Sequence, residues 1–94
     1  MVTAFVLINA RRDMVPETAE QLTGIEGVAE VYSVAGEWDL IAVIRAHTNE
    51  ELAEIVTEHM LRMQGIKKTE TLIAFRAYST YDLERMFAIG MEEE

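Results

Sequence analysis

The sequence has no cysteine, and that absence excludes a disulfide framework, a thiolate-held zinc ion and a cysteine nucleophile. A reducing compartment suits such a chain. Basic residues are scarce as well: eight Lys and Arg stand against seventeen Asp and Glu, a formal net charge of -9. A protein that neutralises phosphates needs cations gathered on one face. Here the basic pairs Arg11-Arg12 and Lys67-Lys68 each fall at a strand boundary, where a solvated loop accounts for them. No run approaches the ~20 apolar residues of a membrane span. The apolar start Val2 to Ile8 has no basic region before it and meets Asn9, Arg11 and Arg12 too early for a signal peptide. The five glycines are scattered, so no phosphate-cradling loop is present. The expectation is a cytoplasmic protein that by itself contacts neither nucleic acid nor membrane and carries no cofactor or metal.

What is present is enough for one folded domain, since 94 residues leave no room for two packed cores. The six methionines read as adaptable fillers of buried seams, not as metal ligands. Val2 to Asn9 is β-branched, aromatic and apolar at almost every position, the composition of a strand covered on both faces. Pro16 suits the first turn of a helix, and Val15, Ala19 and Leu22 follow at helical spacing until Gly24 and Gly27 close the element. Val28 to Val34 alternates as a strand, and Leu40 to Ile44 is another run without a polar face. The two predict an antiparallel hairpin around Gly36-Glu37-Trp38-Asp39.

Thr48 and Glu51 form a capping box that starts a second helix. Its apolar stripe is Leu52, Ile55, Val56, His59, Met60 and Met63, and Gly65 stops it. Lys68 to Tyr78 predicts the last strand. Thr80 to Ile89 predicts a short C-terminal helix followed by an acidic tail, so residues 1-79 and 80-94 are read as body and appendage of one domain.

Strand, helix, strand, strand, helix, strand is the split βαβ pattern of the ferredoxin-like α+β fold, with both helices on one face of a four-stranded antiparallel sheet. The other face is open in a single copy. Because the strands at Val2 to Ile8 and Leu40 to Ile44 are apolar on both sides, that face needs a cover, and a second copy related by two-fold symmetry supplies one. An interface of on the order of 800 Å² per partner has ample hydrophobic drive. The expected unit is a homodimer, a dimeric α/β barrel.

Chemistry has few places to reside. His47 and His59 lack a metal-pair spacing and neighbour no motif serine. For both, a structural role outweighs a functional one. The turn Ala35-Gly36-Glu37-Trp38-Asp39 is different: Gly36 lets backbone approach a ligand, turn amides donate to a carboxylate and Asp39 receives an ammonium. Those groups suit a zwitterion. A plain hairpin with Trp38 packed at its base is the other reading of the same spacing.

The runs Gly27-Val28-Ala29-Glu30-Val31-Tyr32, Val34-Ala35-Gly36-Glu37-Trp38-Asp39-Leu40 and Gln64-Gly65-Ile66-Lys67-Lys68-Thr69-Glu70-Thr71 resemble the effector-binding (RAM) domain of the Lrp/AsnC regulators. The resemblance covers residues 1 to 78. It implies dimers packed sheet to sheet that join into tetramers, octamers or decamer-like rings, with amino-acid effectors at the seams between dimers. It also implies a site formed by Gly36, Glu37, Trp38 and Asp39, with Thr69 and Thr71 as polar supplements, and no catalytic residues. Relatives carry an N-terminal helix-turn-helix, whereas this sequence begins at its first strand, so the expected form is the stand-alone one, acting through full-length Lrp/AsnC partners or by competing for effector. A dimeric α/β-barrel enzyme, monooxygenase-like or isomerase, with His47 and Tyr78 as acid-base groups, is the alternative. An assembly scaffold without a small ligand is a third.

Overall fold

The computed structural model describes residues 1-80. The expected C-terminal helix over Thr80 to Ile89 lies almost wholly outside them. Four strands, β1 (Val2–Ala10), β2 (Val28–Ser33), β3 (Leu40–Ala46) and β4 (Ile66–Ile73), form one sheet in the order β2-β3-β1-β4. Every neighbouring pair is antiparallel. Helix α1 (Val15–Thr23) follows a 3-10 turn at Arg12–Met14, and α2 (Asn49–Glu54) continues as a π-helical segment at Ile55–Met60. The fold is the expected ferredoxin-like α+β arrangement. Among the described residues, no helix is long and apolar enough to cross a membrane.

The two central strands explain their unbroken apolar sequences. Ala4, Val6, Ile8 and Ala10 of β1 and Leu40, Ala42, Ile44 and Ala46 of β3 point toward the helices and are buried. Leu22, Leu52, Ile55 and Met60 meet them from the helical layer. The intervening residues Phe5, Leu7, Ile41 and Val43 point the other way, as the two-residue period of a strand requires. Register sets these into rows across the sheet. Phe5 lies between Val43 and Leu72, and Leu7 between Ile41 and Glu70. Phe5 retains 39% of its surface, Leu72 48% and Tyr32 50%, so the face that carries no helix among the described residues has a half-exposed apolar patch.

Polar groups bound that patch on the β2 side. Glu30 accepts a hydrogen bond from the Tyr32 hydroxyl, and its carboxylate lies 3.6 Å from Arg45 Nη1. The hydrogen bond to Glu30, and then the charge of that carboxylate, raise the Tyr32 pKa above the ordinary phenol value. Tyr32 therefore remains a neutral hydroxyl. An apolar centre with a polar rim is the anatomy of a protein interface.

Backbone detail interrupts the strict alternation expected over Val28 to Val34 and changes two further sequence expectations. The register of β2 shifts between Val28 and Glu30, so Val28 is paired with Ile44 and joins Val31 and Ser33 on the helix side while Glu30 and Tyr32 take the open side. β4 begins at Ile66 and ends at Ile73, and Phe75 is fully exposed. His59 leaves the apolar stripe: the π-helical turn adds a residue between Ile55 and Met60, both buried, and rotates His59 into solvent. The bond from Leu61 N-H to the Val56 carbonyl, at 2.9 Å, is of the i to i-5 type that defines this turn. Periodicity of 3.6 residues could not register that extra residue.

The glycines serve distinct purposes. Gly27, at φ 99°, takes the left-handed conformation that ends the α1 connection, and a Cβ there would meet Ile55 Cδ1 at 2.5 Å. Gly65 is needed for space alone, since a Cβ would lie 2.0 Å from Thr18 Oγ1. Thr18 is fully buried, and its hydroxyl has no hydrogen-bond partner among the described residues. An unmade bond at a buried hydroxyl costs about 1 to 3 kcal/mol. Thr18→Val, which keeps the branched shape, is expected to stabilise the domain by about 1 kcal/mol, read as a higher denaturation midpoint. A lower midpoint would mean that the hydroxyl is satisfied in solution.

Candidate functional site

The loop between β2 and β3 is closed at its base by Val34 N-H donating to the Asp39 carbonyl at 3.0 Å. Asp39 N-H donates to the Ile8 carbonyl at 2.9 Å, and Ala10 N-H donates to Asp39 Oδ2 at 2.9 Å. Both contacts tie the loop to the end of β1. They fix the aspartate through its own backbone and one carboxylate oxygen, and Oδ1 makes no hydrogen bond among the described residues. Gly36 sits at φ 130° with open space where a Cβ would be, so the backbone conformation, not crowding, selects glycine there. Gly36 and Glu37 are exposed, and Trp38 and Asp39 are half-buried.

Asp39 opens into a cleft of about 410 Å³ lined by Asn9, Ala10, Arg12, Val15, Lys67 and Lys68. Lys68 Nζ lies 5.6 Å from the centre of the Trp38 ring, a cation-π contact that steadies the ammonium. The cleft thus joins a carboxylate and several cations at one end of the sheet, with the Trp38 indole behind one of those cations. Such a set can hold the two ends of a zwitterion.

The six residues read from the sequence as a site are not all gathered. Thr69 is paired with Ile8, whose carbonyl receives the Asp39 amide, so it lies in the same end of the sheet as the loop. Thr71 pairs with Val6 and lines a separate apolar groove with Leu52, Val56 and Ile73, under α2. Asn9, Arg12, Lys67 and Lys68, which line the cleft, lie outside the set that the sequence predicts. The signal that locates them is topological: the end of β1 and the start of β4 are antiparallel neighbours, so residues near 10 and near 67 must meet.

The acid-base candidates are surface groups. The Glu51 carboxylate accepts from His47 N-H at 3.0 Å and lies 3.2 Å from His47 Nδ1, while Thr48 Oγ1 accepts from Glu51 N-H at 3.1 Å. His47 thereby completes the N-terminal cap of α2, in which the carboxylate reaches the residue before the cap. Tyr78 is exposed. Among the described residues, no group of three or more His, Asp or Glu side chains is arranged to hold a metal ion.

Residues 3–83 match the family model of the Lrp/AsnC ligand binding domain. The chain belongs to this family. An HTH-type transcriptional regulator of Pyrococcus furiosus is 43% identical over 76 residues, which are 78% of this chain and 51% of that protein. The chain spans about half the length of the curated relatives it matches. The crystal structure of TTHA0845 from Thermus thermophilus is 48% identical with a TM-score of 0.80, covering 84% of this chain and 99% of that one. A feast or famine regulatory protein from M. tuberculosis, solved in complex with L-methionine, is 26% identical with a TM-score of 0.67, covering 85% of this chain and 54% of that one. The Lrp/AsnC homologues are transcriptional regulators, and this domain is of the regulatory, effector-binding kind.

Proposed function

We propose that this Lrp/AsnC domain is a non-enzymatic, cytoplasmic sensor that takes an amino acid beside the Gly36 to Asp39 loop and reports it through self-assembly. The observation that carries the reading is Asp39, held by the Ala10 amide through one carboxylate oxygen while the other remains available at the mouth of a cleft. A carboxylate fixed in this way receives an ammonium group without first being ordered, which lowers the cost of binding. The loop amides and the cations across the cleft supply the complementary end. Thr69 is the polar supplement from β4. The methionine complex of the M. tuberculosis relative supports an amino acid as the ligand class.

Assembly follows from the half-exposed face. Phe5, Leu7, Ile41 and Leu72 are its apolar centre, with Val43 beside Phe5 already buried, and two copies covering that face form a homodimer. Dimers then join into a ring, octamer- or decamer-like, and an effector that contacts two subunits favours the joined state by mass action. With a net charge of -9, contact with DNA falls to a separate unit, such as that of a full-length Lrp/AsnC regulator in the same assembly.

Isothermal titration with the twenty amino acids, with light scattering on the same samples, tests this. Binding of at least one amino acid with a change in mass is expected. Asp39→Asn preserves an acceptor for the Ala10 amide and removes the charge. It is expected to weaken that binding by about ten- to a hundredfold, the effect of one charge-assisted hydrogen bond, with little change in the denaturation midpoint. Undiminished affinity in this variant would remove Asp39 from the site.

A further inference from the structure

Three of the four residues in the two basic pairs of this acidic chain, Arg12, Lys67 and Lys68, distant from one another in sequence, converge on a single cleft. Arg12 enters it from the 3-10 turn after β1, and Lys67 and Lys68 enter from the start of β4. Consecutive strand residues ordinarily point to opposite faces. Here the register shifts between Asn9 and Ala10: Asn9 is paired with Lys68 and Ala10 with Ile66, so Lys67 is the extra, bulged residue. A bulge re-aims a side chain, and both lysines line the cleft.

Among the described residues the cleft cations also lack carboxylate partners. Among the described residues Arg11, Arg45 and Arg62 each have a carboxylate partner, whereas Arg12, Lys67 and Lys68 form no ion pair. Against them the lining sets one carboxylate among the described residues, Asp39. A neutral amino acid carries one charge of each sign and matches Asp39 plus one cation. Two positive groups would then face one another uncompensated in a concave site, where like charges are costly.

We infer that the effector of this domain is an acidic amino acid, an α-amino dicarboxylate, whose second carboxylate is received by Arg12 and Lys67. This rests on the amino-acid reading of the Asp39 cleft and narrows its ligand class. Lys68, held over Trp38, and the loop take the α-carboxylate, and Asp39 takes the ammonium. The isosteric amides separate the charge from the shape. Titration of the full chain with glutamate and aspartate, and with glutamine and asparagine, is expected to give at least tenfold tighter binding of the acid in one pair, the effect of one charge-assisted contact. In Lys67→Gln the ratio of acid to amide affinity is expected to fall about tenfold, and in Arg12→Gln likewise. Amides that bind as tightly as their acids, or an acid preference untouched by both substitutions, would overturn the acidic ligand and leave the sensor reading in place. Absence of binding by any amino acid, acidic or neutral, would instead remove the sensor reading on which the inference rests.

Discussion

Phe5→Glu is expected to convert the assembled protein into folded monomers, with a mass near 10.7 kDa by light scattering and an unchanged far-UV circular dichroism spectrum. Phe5 sits at the middle of the row Val43, Phe5, Leu72 on the face that carries no helix among the described residues and is 39% exposed in the single copy. The substitution leaves the helix-side core untouched, because neighbouring strand residues serve opposite faces. In a two-fold interface every residue occurs twice, so one substitution introduces two carboxylates into the apolar centre. Unpaired charges in such a place cost several kcal/mol, a loss in dimer affinity of at least about a hundredfold. The accompanying control is Glu70→Gln, which lies in the next row beside Leu7 and removes a charge instead of adding one. A wild-type protein that is already monomeric at micromolar concentration, or a Phe5→Glu variant that retains the full assembled mass, would refute the sheet-to-sheet dimer.

The second large effect is on stability. Ile8→Ala is expected to destabilise the domain by about 3 kcal/mol, within the range of roughly 2 to 5 found for truncation of buried branched side chains. Ile8 is fully buried on a central strand, paired with Leu40 on one side and Thr69 on the other. Its side chain points into the core that Leu22, Leu52, Ile55 and Met60 complete from the helical layer, and close-packed neighbours of that kind relax into a new hole only in part. For a domain of this size the loss corresponds to a fall in melting temperature of about 15 °C. Its backbone carbonyl still receives the Asp39 amide in the variant, so ligand affinity below the melting transition is expected to change little. A shift of only a few degrees would indicate that the core around Ile8 repacks.

Much of this was legible before the fold. The apolar runs of β1 and β3 announced strands covered on both sides, and the structure shows one side taken by helices and the other half-exposed. Thr48 and Glu51 marked the start of α2, and the expected bond from Glu51 N-H to Thr48 Oγ1 is present at 3.1 Å. The spacing of Gly36 and Asp39 in the loop is legible as a turn that suits either a zwitterion or a plain hairpin, and the structure gives the glycine φ 130° and ties the aspartate to the end of β1. His59 was misplaced on the buried stripe, since a π-helical turn changes the spacing without leaving a mark in hydrophobic periodicity. The basic pairs were read as separate solvated loops, because each is short and a linear scan has no measure of their proximity.

The sequence by itself determined the order and type of the elements and the overall charge, and it carried the motifs of the Lrp/AsnC ligand-binding family. These depend on spacing within one segment, where residues a few positions apart are held together by the chain. Only the tertiary structure decided which lysines and arginines share a cleft with Asp39, which face His59 occupies and which row of apolar side chains is half-exposed. Those outcomes depend on strand register, where a one-residue bulge at Lys67 or between Val28 and Glu30 re-aims side chains while scarcely altering local composition.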